Sequence, residues 1–423
     1  MNENRVDAPG EFRLFEVYGI EIEYMIVDSD RLSVLPVTDE VLRVVAGEYS
    51  DEVEMGALSW SNELALHVIE LKTNGPSPTL TGLAEHFQAD VRRINTLLEK
   101  LGGRLMPTAM HPWMDPASET RLWPHDHSPV YEAFNRIFNC SGHGWSNLQS
   151  VHINLPFRDD KEFARLHAAI RLALPLLPAL AASSPLMDGR TTGLLDSRLD
   201  VYRSNARRVP SVSGSVIPEP VYSRAEYEGA LLGSIYRDLA PLDPEGVLQH
   251  EWVNARGAIA RFDRHAIEIR VLDTQECPAA DLAIAALVSN LVRTLGEERW
   301  CNLATLQNWD TAALYDVLLR CIRAGERAEI GDSVADRRLL QAYGFPERGI
   351  CRAQDLWQHV METVMPQPSA DTRAFRHAYL RGGTLAQRIL TALGNDSAPS
   401  PTALRDVYAR LCDCLQRGEL LLA

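Results

Sequence analysis

Residues 18–27 read YGIEIEYMIV. Ile20, Ile22 and Tyr24 alternate with Glu21 and Glu23, the period-two pattern of a β-strand. An antiparallel strand with one wet face satisfies that pattern if the two glutamates simply meet solvent. A strand that offers two carboxylates to a functional cavity satisfies it equally. Other segments bear on the choice, because three of them also mix charged or imidazole side chains into strand-like runs. NELALHVIEL (62–71) holds Glu63 and Glu70, QSVHINL (149–155) holds His152, and AIEIRVL (266–272) holds Glu268 and Arg270.

Period-two geometry places Glu21 with Glu23, and Glu268 with Arg270, on common faces. Glu63 and Glu70 are an odd number of residues apart, so they share a face only across a bulge, or if Glu63 sits in a turn. If the four faces belong to one curved sheet, five carboxylates and one imidazole converge. Like charges packed so closely raise one another's pKa unless cations are present. Hard divalent ions accept such a donor set: Mg²⁺ takes carboxylate oxygens together with substrate phosphates, and Mn²⁺ tolerates the imidazole more readily. No GxxxxGK[ST] or GxGxxG run occurs. The pattern therefore points to nucleotide chemistry without a glycine-rich phosphate loop. Arg270 beside Glu268 can neutralise charge developing on a transferred phosphoryl group. The plainer readings are a sheet-face salt bridge for Arg270 and a hydrogen-bonded core residue for His152.

The bulk properties fit an ordinary globular protein and leave an anionic small substrate open, because a bound metal and a few arginines can reverse the sign of charge locally. The 423 residues suffice for one large or two ordinary domains, and 46% hydrophobic with 23% charged content is that of a globular protein. A net charge of −15 argues against nucleic acid or an anionic membrane as partner. Seven cysteines without a CxxC pair suggest a reducing, cytoplasmic setting. The opening MNENRVDAPGEFRLFE has no apolar signal core, and its first ten residues are expected to lack order. The apolar run 168–182 contains Arg171, Pro175 and Pro178 and reads as a buried helix.

Periodicity predicts strands near 16–27, 147–157 and 266–273, and a strand region across 60–73. DSDRLSVLPV reads as a turn into a short strand. Helices are predicted over 39–48, from a Thr79 cap to Leu101, over 160–182, and from Pro278 to 295. Residues 103–146 and 186–222 read as loop-rich, and helical patterns dominate after 296. The expected class is α+β.

GIEIEYMIV, ELALHVIELKT, QSVHINL and AIEIRVLDTQECP, in that order and spacing, resemble the carboxylate–amine ligases of the glutamate–cysteine ligase type 2 group. The resemblance implies a glutamine-synthetase-like domain over 12–295, a curved antiparallel sheet forming a half-barrel funnel with helices outside, followed by a helical region over 296–423. It implies that ATP phosphorylates a carboxylate, usually that of glutamate, and that an amine, cysteine by default, displaces the phosphate. Under it Glu21, Glu23, Glu63, Glu70, His152 and Glu268 are the Mg²⁺ or Mn²⁺ ligands, and Arg270 acts with Glu268 at the transferred phosphate. It also implies small-molecule partners and a monomer or homodimer. Two alternatives lie in the same fold group: a guanidino-kinase-like phosphotransferase, and a catalytically silent nucleotide-binding relative.

Further candidates come from the residues themselves. Arg198 and Arg203, in an arginine-rich stretch with Arg190, Arg207 and Arg208, have the planar forks that suit a carboxylate or phosphate. In HGWSNLQ (143–149), Asn147 and Gln149 could bond substrate while His143 and Trp145 shape its pocket; a turn leading into a strand explains the run equally. HPWMDP (111–116) fits a turn on the funnel rim. Close relatives are expected to carry a glycine-rich CGxHVHxG-like run at the third segment. Here it is SNLQSVHINLP, which leaves the amine, and with it the acid, open.

Overall fold

The computed structural model describes residues 11–346 and 349–422; the N-terminal decapeptide lies outside them. Its centre is an eight-stranded sheet. The strands are β1 (Gly19–Asp28), β2 (Glu52–Glu54), β3 (Leu58–Asn62), β4 (Val68–Thr73), β5 (Gly103–Met106), β6 (Ser150–Pro156), β7 (Ala258–Arg261) and β8 (Ala266–Asp273). Their order is β2-β3-β4-β1-β6-β8-β7, with β5 paired to the end of β1 at Met25–Asp28. Every pairing is antiparallel, and the sheet stays open between its edges β2 and β7.

Register explains why one face is apolar and the other polar. Residues directly opposite on neighbouring antiparallel strands share a face. Trp60, Leu71, Ile22 and Val151 are consecutive partners across β3, β4, β1 and β6. With Ile20, Tyr24, Ile69, Ile153, Leu155, Ile267 and Ile269 they belong to one buried core. The next row, one residue along each strand, runs Ser59, Lys72, Glu21 and His152, and the row beyond it Ser61, Glu70 and Glu23. A slip of one residue in any strand would exchange these faces, so burial of the isoleucine row fixes the glutamate row.

The longer helices are numbered α1 (Thr38–Ala46), α2 (Leu83–Glu99), α3 (Ser128–Phe138), α4 (Asp160–Ala173), α5 (Ser197–Asn205), α6 (Pro278–Gly296), α7 (Thr311–Ala324), α8 (Val334–Ala342), α9 (Ala353–Val364), α10 (Ala370–Gly382), α11 (Leu385–Ala392) and α12 (Pro401–Arg417). Phe87, Val91 and Ile94 of α2, Phe163 and Leu166 of α4, and Leu287 and Leu291 of α6 join the sheet's apolar residues in the core. Helix α6 is long and apolar enough to cross a membrane, but most of it is buried inside the protein. The helices after residue 296 lean on the same body. Met25 and Val27 of β1 pack with Leu385, Ile389, Tyr408 and Leu411. Arg388 of α11 forms a buried ion pair with Glu276, just beyond β8.

Several expectations are corrected. The region 60–73 is two strands, β3 and β4, with Glu63 in the link between them. The helix predicted from Thr79 starts at Leu83, after Gly82 turns into the left-handed region (φ 85°). The helix predicted over 160–182 ends at Ala173; Pro175 and Pro178, lacking N–H donors, break residues 174–182 into short turns. Residues 33–35 make only an isolated bridge, Val27 to Val34. The loop-rich 103–146 contains β5 and α3, and 186–222 contains α5, capped by Asp196, whose side chain accepts from Leu199 N–H. Helix α5 has no apolar stripe because polar and charged residues, Ser197 and Arg198 among them, are buried alongside Leu199.

Gly257, immediately before β7, carries the closest approach near the site. Its carbonyl accepts from Arg270 N–H at 3.0 Å, and its own N–H donates to the Val216 carbonyl at 2.7 Å. A Cβ there would lie 2.5 Å from Val271 Cγ1 and 3.0 Å from Val216 Cγ1. Two stiff β-branched neighbours leave no rotamer escape. Gly257→Ala is expected to cost about 1–3 kcal/mol, read as a lower urea midpoint with an unchanged slope.

Candidate active site

The polar face of the sheet gathers the residues that the sequence scattered. Glu21 and Glu23 come from β1, Glu70 from β4, His152 from β6, and Glu268 and Arg270 from β8. Glu63 reaches the same place from the β3–β4 link. One donor atom each of Glu21, Glu70 and His152 lie within 4.8 Å of one another, and so do donors of Glu23, Glu63 and Glu70. Glu70 belongs to both triads.

Strand pairing brings hydrogen-bonding neighbours to the same carboxylates. Asn154 Nδ2 donates to Glu21 Oε1 (3.0 Å) and Ser61 Oγ to Glu70 Oε2 (2.7 Å). Ser150 donates its backbone N–H (2.7 Å) and its hydroxyl (3.2 Å) to Glu23 Oε2. His152 bridges the strands: Nδ1 lies 2.9 Å from Glu21 Oε2 and 3.7 Å from Glu268 Oε1, and Nε2 lies 2.9 Å from Ser150 Oγ. On β8, Arg270 Nε (3.0 Å) and Nη2 (2.5 Å) both donate to Glu268 Oε1, while Arg261 Nη1 stands 3.6 Å from Glu268 Oε2.

The electrostatics are those of a site short of positive charge. Burial raises the Glu63 carboxyl well above its ordinary range, and the charges of Glu23 and Glu70 add to it. Burial with the Glu21 charge lifts Glu70 to about 7. For Glu21 burial is outweighed by the His152 hydrogen bond and charge and by Lys72 and Arg264, which hold it down to about 2. Burial opposes the charge on His152, but Glu21, Glu23 and Glu268 together bring it up to about 9. The imidazole thus stands where cationic charge is needed, and Glu63 and Glu70 answer the remaining excess by binding protons more tightly. Hard divalent ions bind such oxygen donors, so the donor set fits Mg²⁺ or Mn²⁺.

Two cavities flank the cluster. One, of about 390 Å³, is lined by Glu21, Lys72, Arg264 and the 73–76 turn, with Tyr18 and Pro156. The other, of about 240 Å³, is lined by Glu23, Glu63, His152, Arg198 and Arg270 with an aromatic wall. Arg198 is buried in a network the sequence did not reveal. Its Nε donates to Asp273 Oδ1 (2.5 Å), and Asp273 Oδ2 accepts from Ser183 N–H and Ser184 Oγ, both at 2.8 Å. A bulge in β8 between Ile269 and Leu272 turns Asp273 to the polar face opposite Ser150.

Of the other sequence candidates, Arg203, Asn147, Gln149 and His143 line neither cavity. Arg203 binds Asp200 (2.9 Å) and the Tyr315 hydroxyl (3.2 Å) on the outer side of α5. Asn147 is buried and clamps the His111 backbone, accepting from its N–H at 2.6 Å and donating to its carbonyl at 3.0 Å. Gln149 is buried with its amide unpartnered among the described residues. Trp145 does line the aromatic cavity, whereas His143 pairs with Asp188 (3.1 Å) and sits 3.0 Å from Asn147. Residues missed at first include Lys72, Ser150 and Asn154, each two places from a recognised site residue on the same strand face.

Mn²⁺ titration followed by loss of the free-ion paramagnetic signal will test the shared donor. Glu70→Gln should weaken every bound Mn²⁺, whereas Glu63→Gln should spare the Glu21–His152 side; equal effects would contradict the overlapping triads.

Comparison with known proteins places this geometry. The model of glutamate-cysteine ligase family 2 matches residues 17–361. An uncharacterized protein of Archaeoglobus fulgidus is 37% identical over 280 residues, 66% of this chain and 75% of that one. A Salinispora tropica protein named "Putative glutamate--cysteine ligase 2" is 28% identical over 287 residues, and the match spans 66% of each. Among solved structures, the Francisella tularensis glutamate–cysteine ligase in complex with AMP superposes with a TM-score of 0.57 at 11% identity, covering 97% of this chain and 90% of that chain. At that identity the likeness is one of fold.

Proposed function

The chain belongs to glutamate-cysteine ligase family 2, and on that premise we propose that it is an ATP- and Mg²⁺-dependent carboxylate–amine ligase acting on glutamate or a related acid. The observation that carries the reading is the pair of acidic triads sharing Glu70, one reaching the larger cavity through Glu21 and the other the smaller through Glu23 and Glu63, with Arg270 lining the smaller. In this reading the open sheet lines a half-barrel funnel whose polar face is the active site.

A carboxylate is a poor acyl donor because its leaving group would be oxide. Transfer of the ATP γ-phosphoryl group converts that leaving group to phosphate. One P–O bond forms to the substrate carboxylate and one breaks to ADP. The obstacle is the meeting of two anions in line, so positioning and charge stabilisation dominate the barrier. Lys72 and Arg264 give the larger cavity the positive charge that a triphosphate needs. Arg198 and Arg270 give the smaller one what a carboxylate needs. Glu21 faces the first cavity, and Glu23, Glu63 and His152 face the second, so these ligands form the partition that the phosphoryl group crosses. Divalent ions held by Glu21, Glu23, Glu63, Glu70, His152 and Glu268 would neutralise the charge of the meeting anions.

Arg270 is fixed for its part. Two of its donors are spent on Glu268, which is only 2% exposed, and the remaining guanidinium edge borders the cavity. It can stabilise charge on the transferring phosphoryl group without reorganising. The aromatic wall keeps water from the activated acid.

ADP formation is expected to require both an acid and an amine, to stop with EDTA, and to yield an amide visible by mass spectrometry. A phosphorylated amine instead of an amide would identify a phosphotransferase. Arg270→Lys should lower kcat about 10²–10³-fold with a much smaller change in ATP affinity.

A further inference from the structure

We propose that Tyr202 and Asn205 are specificity-determining residues for the acid substrate: with Arg198 they form a row on the inner side of α5 that reads a carboxylate and a hydrogen-bond donor, such as a free amine, on the same molecule. The inference rests on the ligase reading above and assigns the recognition of its acid.

The first ground is placement. Residues 198, 202 and 205 are four and three apart, so they share one face of the helix. All three line the smaller cavity. Each ends in a polar atom that is buried and unpartnered among the described residues: Arg198 Nη2, the Tyr202 hydroxyl and Asn205 Oδ1. On the other side of α5 the polar groups are engaged, Arg203 with Asp200 and Tyr315, and Ser204 Oγ with the Val201 carbonyl (3.1 Å). A buried donor or acceptor left unmet is costly. Three of them in a row along one cavity mark a place that a ligand completes.

The second ground is what each atom is left to do. Arg198 donates Nε to Asp273 (2.5 Å) and Nη1 to the Arg270 carbonyl (3.4 Å), which leaves Nη2, a donor only. Asn205 Nδ2 donates to the Gly144 carbonyl at 2.9 Å. A carbonyl only accepts, so the amide cannot be turned over, and its open end is Oδ1, an acceptor only. Trp145 Nε1 donates to the Asn205 backbone carbonyl (3.2 Å), and a Cβ on Gly144 would stand 2.9 Å from Asn205 Cβ, so this end of α5 is locked against residues 143–146. The Tyr202 hydroxyl, between the two in the row, can donate or accept.

The complement is a ligand with an acceptor for Arg198 and an N–H or O–H for Asn205. A polyphosphate presents acceptors alone, and an amine without a carboxylate leaves Arg198 unmet. An acid with a free amine satisfies the whole row. Divalent ions at the acidic cluster bind oxygen donors and take no part in reading an N–H, so that part of the recognition falls to Asn205.

The test uses the full chain with ATP and Mg²⁺, and with hydroxylamine in place of the amine. The activated acid is then read as a coloured iron–hydroxamate, and the structure of the natural acceptor does not enter. L-Glutamate is compared with glutarate, and L-aspartate with succinate, pairs that differ in the α-amine alone. The amino acid is expected to exceed its des-amino counterpart in kcat/KM by about 100-fold or more. Asn205→Leu should collapse that preference to about 10-fold or less. Tyr202→Phe, which removes one orphaned hydroxyl, should raise KM for the acid about 10-fold, with KM for ATP unchanged and Tm unchanged or higher. Equal turnover within a pair overturns the donor requirement and leaves the ligase reading standing. A lowered Tm with unchanged KM for Tyr202→Phe identifies a structural hydroxyl and overturns the assignment. Hydroxamate from none of the four acids removes the ligase reading together with the inference.

Discussion

Four glutamates on one face of a β-sheet and a fifth from the link between two of its strands gather at one place in this protein, and they cannot all be ionised there without cations. The nearby positive groups are strung along the same face: Lys72 beside Glu70 at 3.4 Å, His152 beside Glu21 at 2.9 Å, Arg261 and Arg270 beside Glu268. They do not suffice, and Glu63 and Glu70 respond by binding protons more tightly. A fold that only needed stability would replace such a cluster with apolar residues. Its presence is a demand for external positive charge, and the proposed ions answer that demand.

The cluster is held by parts that have no chemistry of their own. Isoleucine, leucine and tryptophan side chains on the reverse of the sheet lock the register against α2, α4 and α6. Because side chains alternate with a period of two, locking one face aims the other. The bulge in β8 is the exception that completes the site: it lets Arg270 and Asp273, an odd number of residues apart, turn to the same face. Asp273 then carries Arg198, and Gly257 admits the backbone of Arg270. Arg198 is a residue of the cavity by virtue of its partner's placement.

The two cavities divide the proposed labour by composition. The larger has lysine, arginine and a turn at Gly75; the smaller has arginines backed by buried carboxylates and an aromatic wall. The wall belongs to α3, to the residues leading into β6 and to the stretch before β7; of these, the run leading into β6 departs from the expected glycine-rich pattern. Specificity in this chain is therefore sought in those segments, away from the strands that hold the acidic cluster.

Much of the site was legible in one dimension. Glu21, Glu23, Glu70, His152, Glu268 and Arg270 stand out because a charged residue at every second place of an otherwise apolar strand is costly unless used, and that cost is visible in sequence. Lys72, Ser150 and Asn154 carried the same signal, two places away on the same faces, and could have been read from it. Helix α5 could not, because its buried side has guanidinium and hydroxyl groups where an apolar stripe would show. Nor could Asp273, whose facing depends on one extra residue in β8. Asn147 and Arg203 look in sequence like ligands of a substrate, yet their donors are taken by His111 and by Asp200 with Tyr315. Alternation along a strand is a local property, so the sequence alone determined which residues share a face. Which faces meet, which donors stay free and what surrounds the cavity depend on pairing between strands distant in the chain, and only the tertiary structure decided them.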